Sequence, residues 1–277
     1  VNGAGAGRPQ PSALSRATAS PAASIDERKR EAITASSKVR CSCWVLSTPA
    51  SLLMDFSIAQ TNSGCYAERC VARRIEFFYG IGSRYSYLAS CRIEQLARES
   101  GSELEWLPLN SVRLLEERGY SPFDHVEVVR GQYGPEYRER DAQRWAAHYG
   151  VPFLEPRGRL ALDPELLALA ATAGKLLGKA RELTQALFTA VFHGQLPSVG
   201  RDECIRQATQ IGLNAGEFAR TLESEMTAAA LDETMLRAHL AGIFGVPTFV
   251  VDGEQFWGND RLPLLAAHLQ SQPPETR

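Results

Sequence analysis

The chain has 277 residues, 44% hydrophobic and 22% charged, with a formal net charge of -2. That balance fits one large or two small globular units with a sizeable core, and it argues against a nucleic-acid or membrane-surface partner. No apolar run approaches the roughly 18 residues that a membrane helix needs, and the six cysteines (Cys41, Cys43, Cys65, Cys70, Cys91, Cys204) form no C-x-x-C pair, no disulfide scaffold and no standard zinc spacing.

Residues 1 to about 40 are rich in Ala, Ser, Gly and Pro without apolar periodicity. Such a stretch cannot bury enough surface to offset its conformational entropy, and disorder is expected. Residues 41–71 are mixed, with a short apolar stretch from Leu52 to Ile58 that is too short and too far along for a secretory signal. The absence of acidic residues from 1–25, with Arg8 and Arg16, is compatible with a transit-type segment. A translation start placed upstream of a native one nearer Met54 explains the same facts more simply. Residues 1–71 are therefore read as a disordered or non-native extension.

The folded part is expected from about Ala72. Ile75–Tyr79 is an aromatic, apolar run that stops at Gly80, as a buried strand would, and Gly80 and Gly82 permit a tight turn. Ser83 follows at a helix entrance, with Tyr85, Leu88, Ala89, Ile93 and Leu96 at helical spacing. Its hydroxyl reads in two ways: as a cap for free backbone amides, or as a group that joins the helix dipole in favouring an anion. Glu103–Leu109 alternates like a second strand, and strand, helix, strand in that order implies a parallel pair. From Asn110 to about Leu240 the spacing is helical. Segments 138–149, 164–177, 181–192, 201–211, 213–223 and 226–242 carry apolar residues three or four apart and suggest an inserted helical subdomain.

Strands return at the C-terminal end. Gly245–Gly258 reads as a hairpin turning at Asp252-Gly253, and Asn259 or Asp260 is placed to cap a last helix over 261–269. Pro247 cannot donate to a sheet ladder, so it is expected at the start of an edge strand, where a cis bond would present backbone polar groups to a ligand. Tyr79, Tyr85, Tyr87 and Trp257 are dense enough to be core or pocket wall. The five histidines (His125, His148, His193, His239, His268) are scattered and receive no role.

Taken together, these pieces resemble the DsbA-like branch of the thioredoxin fold, over roughly residues 72–271. Within it they are similar to the 2-hydroxychromene-2-carboxylate isomerases and the kappa-class glutathione transferases. Ser83-Arg84-Tyr85-Ser86-Tyr87-Leu88-Ala89 resembles that family's S-P-x-S-Y-L-A. Phe244–Phe249 and Phe256–Leu262 are similar to its proline loop and its W-G-N-D-R segment, and Tyr137, Asp141 and Arg144-Trp145-Ala146 match more loosely. The resemblance implies an α/β thioredoxin-like fold: a thioredoxin part at 72–109 and 243–271, a large all-helical insertion at 110–242, and a tail at 272–277.

It also implies a glutathione-dependent isomerase or transferase acting on a conjugated aromatic electrophile. Ser83 would donate to the glutathione sulfur and favour thiolate over thiol. Val246, before Pro247, would pair its backbone with the cysteinyl part of the tripeptide, and Asn259 and Asp260 would hold the γ-glutamyl end. Ser83 and Ser86 stand where a redox relative has cysteines, which excludes dithiol exchange. Arg84, Tyr85 and Tyr120 are assigned to the substrate pocket. Arg84 replaces the family's proline, Tyr120 its asparagine and Gly134 a lysine, whose charge Arg130 or Arg138 could supply. A cytoplasmic location, a small-molecule substrate and room for a homodimer complete the expectation. The competing reading is a thioredoxin-fold binding module that kept the frame and lost the chemistry.

Overall fold

A computed structural model describes residues 72–119, 134–194 and 196–271. Strand β1 (Arg74–Tyr79) leads through a glycine turn into helix α1 (Arg84–Glu99), and β2 (Glu103–Pro108) returns parallel to β1. Helices α2 (Ser111–Glu116), α3 (Pro135–Tyr149), α4 (Pro164–Leu176), α5 (Ala180–Phe192), α6 (Arg201–Gln210), α7 (Ala215–Leu222) and α8 (Glu225–Leu240) form the insertion. Among the described residues the insertion also carries strands β3 (Ala161–Leu162) and β4 (Ser198–Val199), two residues each, which pair in parallel. Strands β5 (Thr248–Val251) and β6 (Glu254–Trp257), a 3₁₀ turn (Asn259–Arg261) and helix α9 (Leu262–Gln270) complete the described chain.

The main sheet runs β2-β1-β5-β6, with β5 antiparallel to both neighbours. Alternation along β1 supplies both of its cores. Ile75, Phe77 and Tyr79 join the larger cluster with α1, α3 and α5, where Phe77 stacks between Tyr79 and Phe249 at centroid distances of 5.0 and 5.1 Å. Phe78 projects the other way, onto Leu107, Val250 and the Leu231, Met235 and Ala238 face of α8. A sheet covered on both faces explains why β1 reads as a continuous apolar run instead of an alternating one.

Two expectations change. Pro247 does not begin an edge strand: β5 lies between β1 and β6, and the proline sits one residue ahead of it, so its missing N–H is not called on by the ladder. Neither Asn259 nor Asp260 caps α9 through its side chain; a 3₁₀ turn precedes that helix, with Pro263 in the first turn. The hairpin turn is at Asp252-Gly253, with both residues at positive φ (53° and 82°), as a tight turn matched to the strand twist requires. Residues 1–71 and Tyr120 lie outside the described residues.

Candidate active site

The site is built at the C-terminal end of β1. Gly80 accepts from the Ser83 N–H at 3.0 Å and closes the turn, and a Cβ on Gly80 would come within 3.0 Å of Ser111 Oγ, so bulk there is excluded. Ser83 is the N-cap of α1 with extended backbone (φ -89°, ψ 117°), and its Oγ accepts from the Ser86 N–H at 3.2 Å. A hydroxyl has one donor and two acceptor sites. The cap uses an acceptor, and among the described residues nothing receives the Ser83 O–H. Capping and anion binding are thus compatible uses of one side chain. Ser86 is buried, and its Oγ accepts from the Gly80 N–H at 3.4 Å, so the second serine braces the turn.

Besides Ser111, the insertion reaches this turn at three further points among the described residues. Tyr85 donates to Asp141 Oδ2 of α3 at 2.9 Å. Burial, then the hydrogen bond and charge of Asp141, hold the Tyr85 phenol well above its usual value, so it stays a neutral donor. Arg84 Nη1 lies 3.0 Å from Glu155 Oε2, with side-chain exposures of 14% and 8%. The contact has ion-pair distance without hydrogen-bond direction, because both atoms are sealed from solvent and neither is hydrogen-bonded. Burial lowers the proton affinity of this guanidinium, Glu155 opposes that, and Arg138 adds to it. Leu162 of β3 forms the third point, 3.5 Å from where a Gly82 Cβ would be.

The proline loop adjoins the same end of the sheet. Phe78 pairs with Thr248, so continuing the register by one residue sets Pro247 beside Tyr79. The Val246–Pro247 bond is cis, Gly258 N–H donates to the Pro247 carbonyl at 2.9 Å, and Thr248 Oγ1 donates to Gly245 O at 2.7 Å. Among the described residues the Val246 N–H and C=O have no backbone partner. Trp257, 47% exposed, lies over this loop against Phe244, and a Cβ on Gly245 would meet its Nε1 at 2.7 Å.

The 3₁₀ turn packs on α1 farther along. Asn259 is only 2% exposed, and its amide nitrogen is buried without a partner. It approaches the Tyr149 hydroxyl, whose proton burial retains and Asn259 and Arg92 help release. Arg92 lies 4.9 Å over the Tyr149 ring and donates to its carbonyl. Asp260 is exposed and its carboxylate is held by Arg261 at 2.5 Å. The structure thus gathers Ser83, Arg84 and Tyr85 around one turn and sets Val246 and Pro247 at the same sheet end. Asn259 is turned into the protein. Glu155 and Tyr149 carried no functional signal in the sequence: Tyr149 is the last residue of α3 before its Gly150 cap, and Glu155 lies beyond it.

Other chemistry is remote or silent. Among the described residues no group of three or more His, Cys, Asp and Glu side chains could hold a metal, and no helix is long and apolar enough to cross a membrane. Burial raises the Cys91 thiol and pushes Cys204 up to about 12. His193, its basicity lowered by burial, touches the Tyr87 hydroxyl at 2.6 Å, and His239 meets Glu117 at 2.5 Å; both contacts are structural. A groove of about 270 Å³ lies beside Glu105, Lys175 and Arg237 and includes no residue of the Ser83 turn. Lys175 and Arg237 there are both paired with Glu105, and the groove lies apart from the Ser83 turn.

A four-stranded mixed sheet, a helix entered through a serine-bearing turn and a facing cis-proline loop define a thioredoxin-like protein. More narrowly, residues 74–270 match the model of the DSBA-like thioredoxin domain, and the chain belongs to that family. It is 28% identical over 213 residues to a 2-hydroxychromene-2-carboxylate isomerase of Sphingobium xenophagum, covering 72% of this chain and 99% of the relative. Its identity to the enzyme of the same name from Pseudomonas putida is 25% over 201 residues, covering 69% and 91%. Among solved structures, a 2-hydroxychromene-2-carboxylate isomerase superposes with a TM-score of 0.59 at 24% identity, covering 71% of this chain and 94% of its own. A probable DsbA oxidoreductase from Streptomyces coelicolor superposes at 0.55 and 17% identity, covering 74% and 94%.

Proposed function

We propose that this chain is a glutathione-dependent isomerase of the 2-hydroxychromene-2-carboxylate isomerase type, acting on a conjugated aromatic pyruvate. The observation that carries the reading is the uncommitted Ser83 O–H at the N-terminus of α1, in a site whose motif positions hold no thiol. The residues present suit the tripeptide. The unpaired backbone of Val246 fits an extended peptide added as a strand, and the exposed Asp260 carboxylate suits an ammonium once Arg261 releases it. Buried Asn259 supports that turn from behind instead of gripping the ligand.

Glutathione would supply a nucleophilic thiolate that adds reversibly to a conjugated double bond, lets it rotate and leaves again, so that none is consumed. The chain's part is electrostatic. Ser83 donates one hydrogen bond to the sulfur, and the free amides of the first helical turn add their partial positive charge, so the anion is favoured over the thiol. Tyr85 remains protonated with its O–H given to Asp141, so towards the pocket its oxygen can only accept. A kappa-like transferase would use the same thiolate, and consumption of glutathione separates the two.

Titration calorimetry with millimolar glutathione is expected to give saturable heat that Ser83→Ala reduces and a Trp257→Ala control at the loop reduces less. Absence of heat and of any thermal shift in the native chain would remove the reading, since a ligand that binds the folded state must raise its stability. A protein captured in stoichiometric amount under those conditions would favour a binding module instead.

A further inference from the structure

Arg84 is in an unfavourable place. It occupies the first turn of α1, where the helix dipole repels a cation, and α1 has no acidic residue in that turn. Helices α3 to α8 each carry at least one acidic residue there. Its guanidinium is mostly buried, yet among the described residues it makes no hydrogen bond. Other arginines are provided for: Arg159 donates to the carbonyls of Glu155, Val191, Gly194 and Leu196, and Arg237 donates to Glu76 and Glu105. Burying a charge without hydrogen bonds costs stability, and no contact at Arg84 offsets that cost apart from Glu155. Glu155 Oε2 is itself sealed and unpartnered, with its side chain more than nine-tenths buried. Glu155 Oε1 accepts from the Arg157 N–H at 3.1 Å, but Oε2 and the Arg84 Nη1 that faces it have no hydrogen bond, one residue from the hydroxyl that would hold the thiolate.

We infer that Arg84 is the receptor for the carboxylate of the substrate, and that Glu155 is the counter-ion this carboxylate displaces from it. An arginine fork matches a carboxylate in two parallel hydrogen bonds, which Glu155 at 3.0 Å does not supply. A substrate carboxylate would satisfy donors the fold leaves open and would fix the unsaturated carbons next to the Ser83 turn. Arg138 of α3 lies close enough to act on Arg84 electrostatically and would share the added negative charge. Glu139 and the Tyr85 phenol are the other titratable groups that influence Arg84. The inference rests on the proposed use of an aromatic carboxylate, and it assigns specificity to a position where this chain departs from the S-P-x-S-Y-L-A pattern it resembles.

The test measures binding, without turnover. Affinities of the full chain for trans-cinnamate and for uncharged cinnamamide are compared by calorimetry in the native protein, Arg84→Gln, Arg84→Lys and Glu155→Gln. The native chain should prefer cinnamate, and Arg84→Gln should weaken cinnamate about tenfold or more while sparing cinnamamide. Arg84→Lys should keep part of the preference, as a point charge without a fork. Glu155→Gln should strengthen cinnamate, because it removes the competitor. A purely structural link predicts the opposite for that variant, with both removals acting in the same direction. Equal effects of Arg84→Gln and Glu155→Gln, or a native chain indifferent to the carboxylate, would overturn the inference. Where a single variant does not fold, Arg84→Met/Glu155→Leu decides: loss of the cinnamate preference supports the receptor and its retention refutes it. Glutathione affinity measured on the same samples keeps the two readings apart, since cinnamate preference without glutathione binding sinks only the isomerase.

Discussion

Two arginines in this molecule meet carboxylates in different ways. On the sheet, β1 and β2 place Glu76 directly beside Glu105, and Arg237 of α8 bonds to both, with Lys175 reaching Glu105 at 3.1 Å. Every charge there has a directed partner, and the cluster joins the sheet to α4 and α8. At the Ser83 turn, Arg84 faces Glu155 at similar distance with no directed bond between them. The first arrangement is what a fold does with charges it needs for its own assembly. The second leaves interaction energy unspent, which is reasonable only where something else arrives to use it.

The largest expected effect comes from the turn. Ser83→Ala should lower isomerisation about a hundredfold, the cost of removing one donor to a developing or resident anion, while loss of the cap costs only about 1 kcal/mol of stability. Next is the sheet cluster. Arg237→Met removes the cation that joins Glu76 to Glu105, leaving Lys175 and Arg74 on Glu105 alone, and should lower unfolding free energy by about 2 kcal/mol in denaturant titration, with glutathione affinity unchanged. The same kind of swap at the turn, Arg84→Met with Glu155→Leu, should keep stability within about 1 kcal/mol of native or raise it, since the pair contributes little to assembly. A cost at the turn as large as that at Arg237 would erase the contrast.

The smallest effect is in acid. Burial alone would raise the Glu105 carboxyl, but the Arg237 and Lys175 hydrogen bonds outweigh it and hold it below its ordinary value of 4.5. A carboxylate with a depressed folded value stabilises fully above about pH 4.5 and loses that contribution as pH falls through the lower folded value. Stability of the native chain should therefore decline more steeply with acid than that of Arg237→Met, which urea titrations across that range would reveal.

Legibility divided along the same line as locality. The Gly80–Ser83 turn, the Asp252-Gly253 hairpin turn and the proline loop are short-range structures whose residues dictate their own geometry, so the sequence exposed them. The insertion helices announced themselves by apolar spacing, with ends off by a few residues; α3 begins at Pro135 instead of Arg138 because proline suits a helix's first turn. Strands β3 and β4 are two residues long and could not register as periodicity. Glu155 sits in the irregular Val151–Leu160 segment, and only tertiary packing brings it to Arg84. Asn259 looked like a ligand or a cap from its neighbours, but its 2% exposure is decided by α1 and Tyr149, far away in sequence.

The central claim is that Ser83 and the α1 N-terminus stabilise a thiolate that the protein does not itself carry. Ultraviolet titration of glutathione bound to the full chain, following thiolate absorbance against pH, tests it most directly. The thiol should ionise at least about one unit below its usual value near 8.5 in the native complex and return toward that value in Ser83→Ala. A bound thiol that titrates like free glutathione in both proteins would contradict the account.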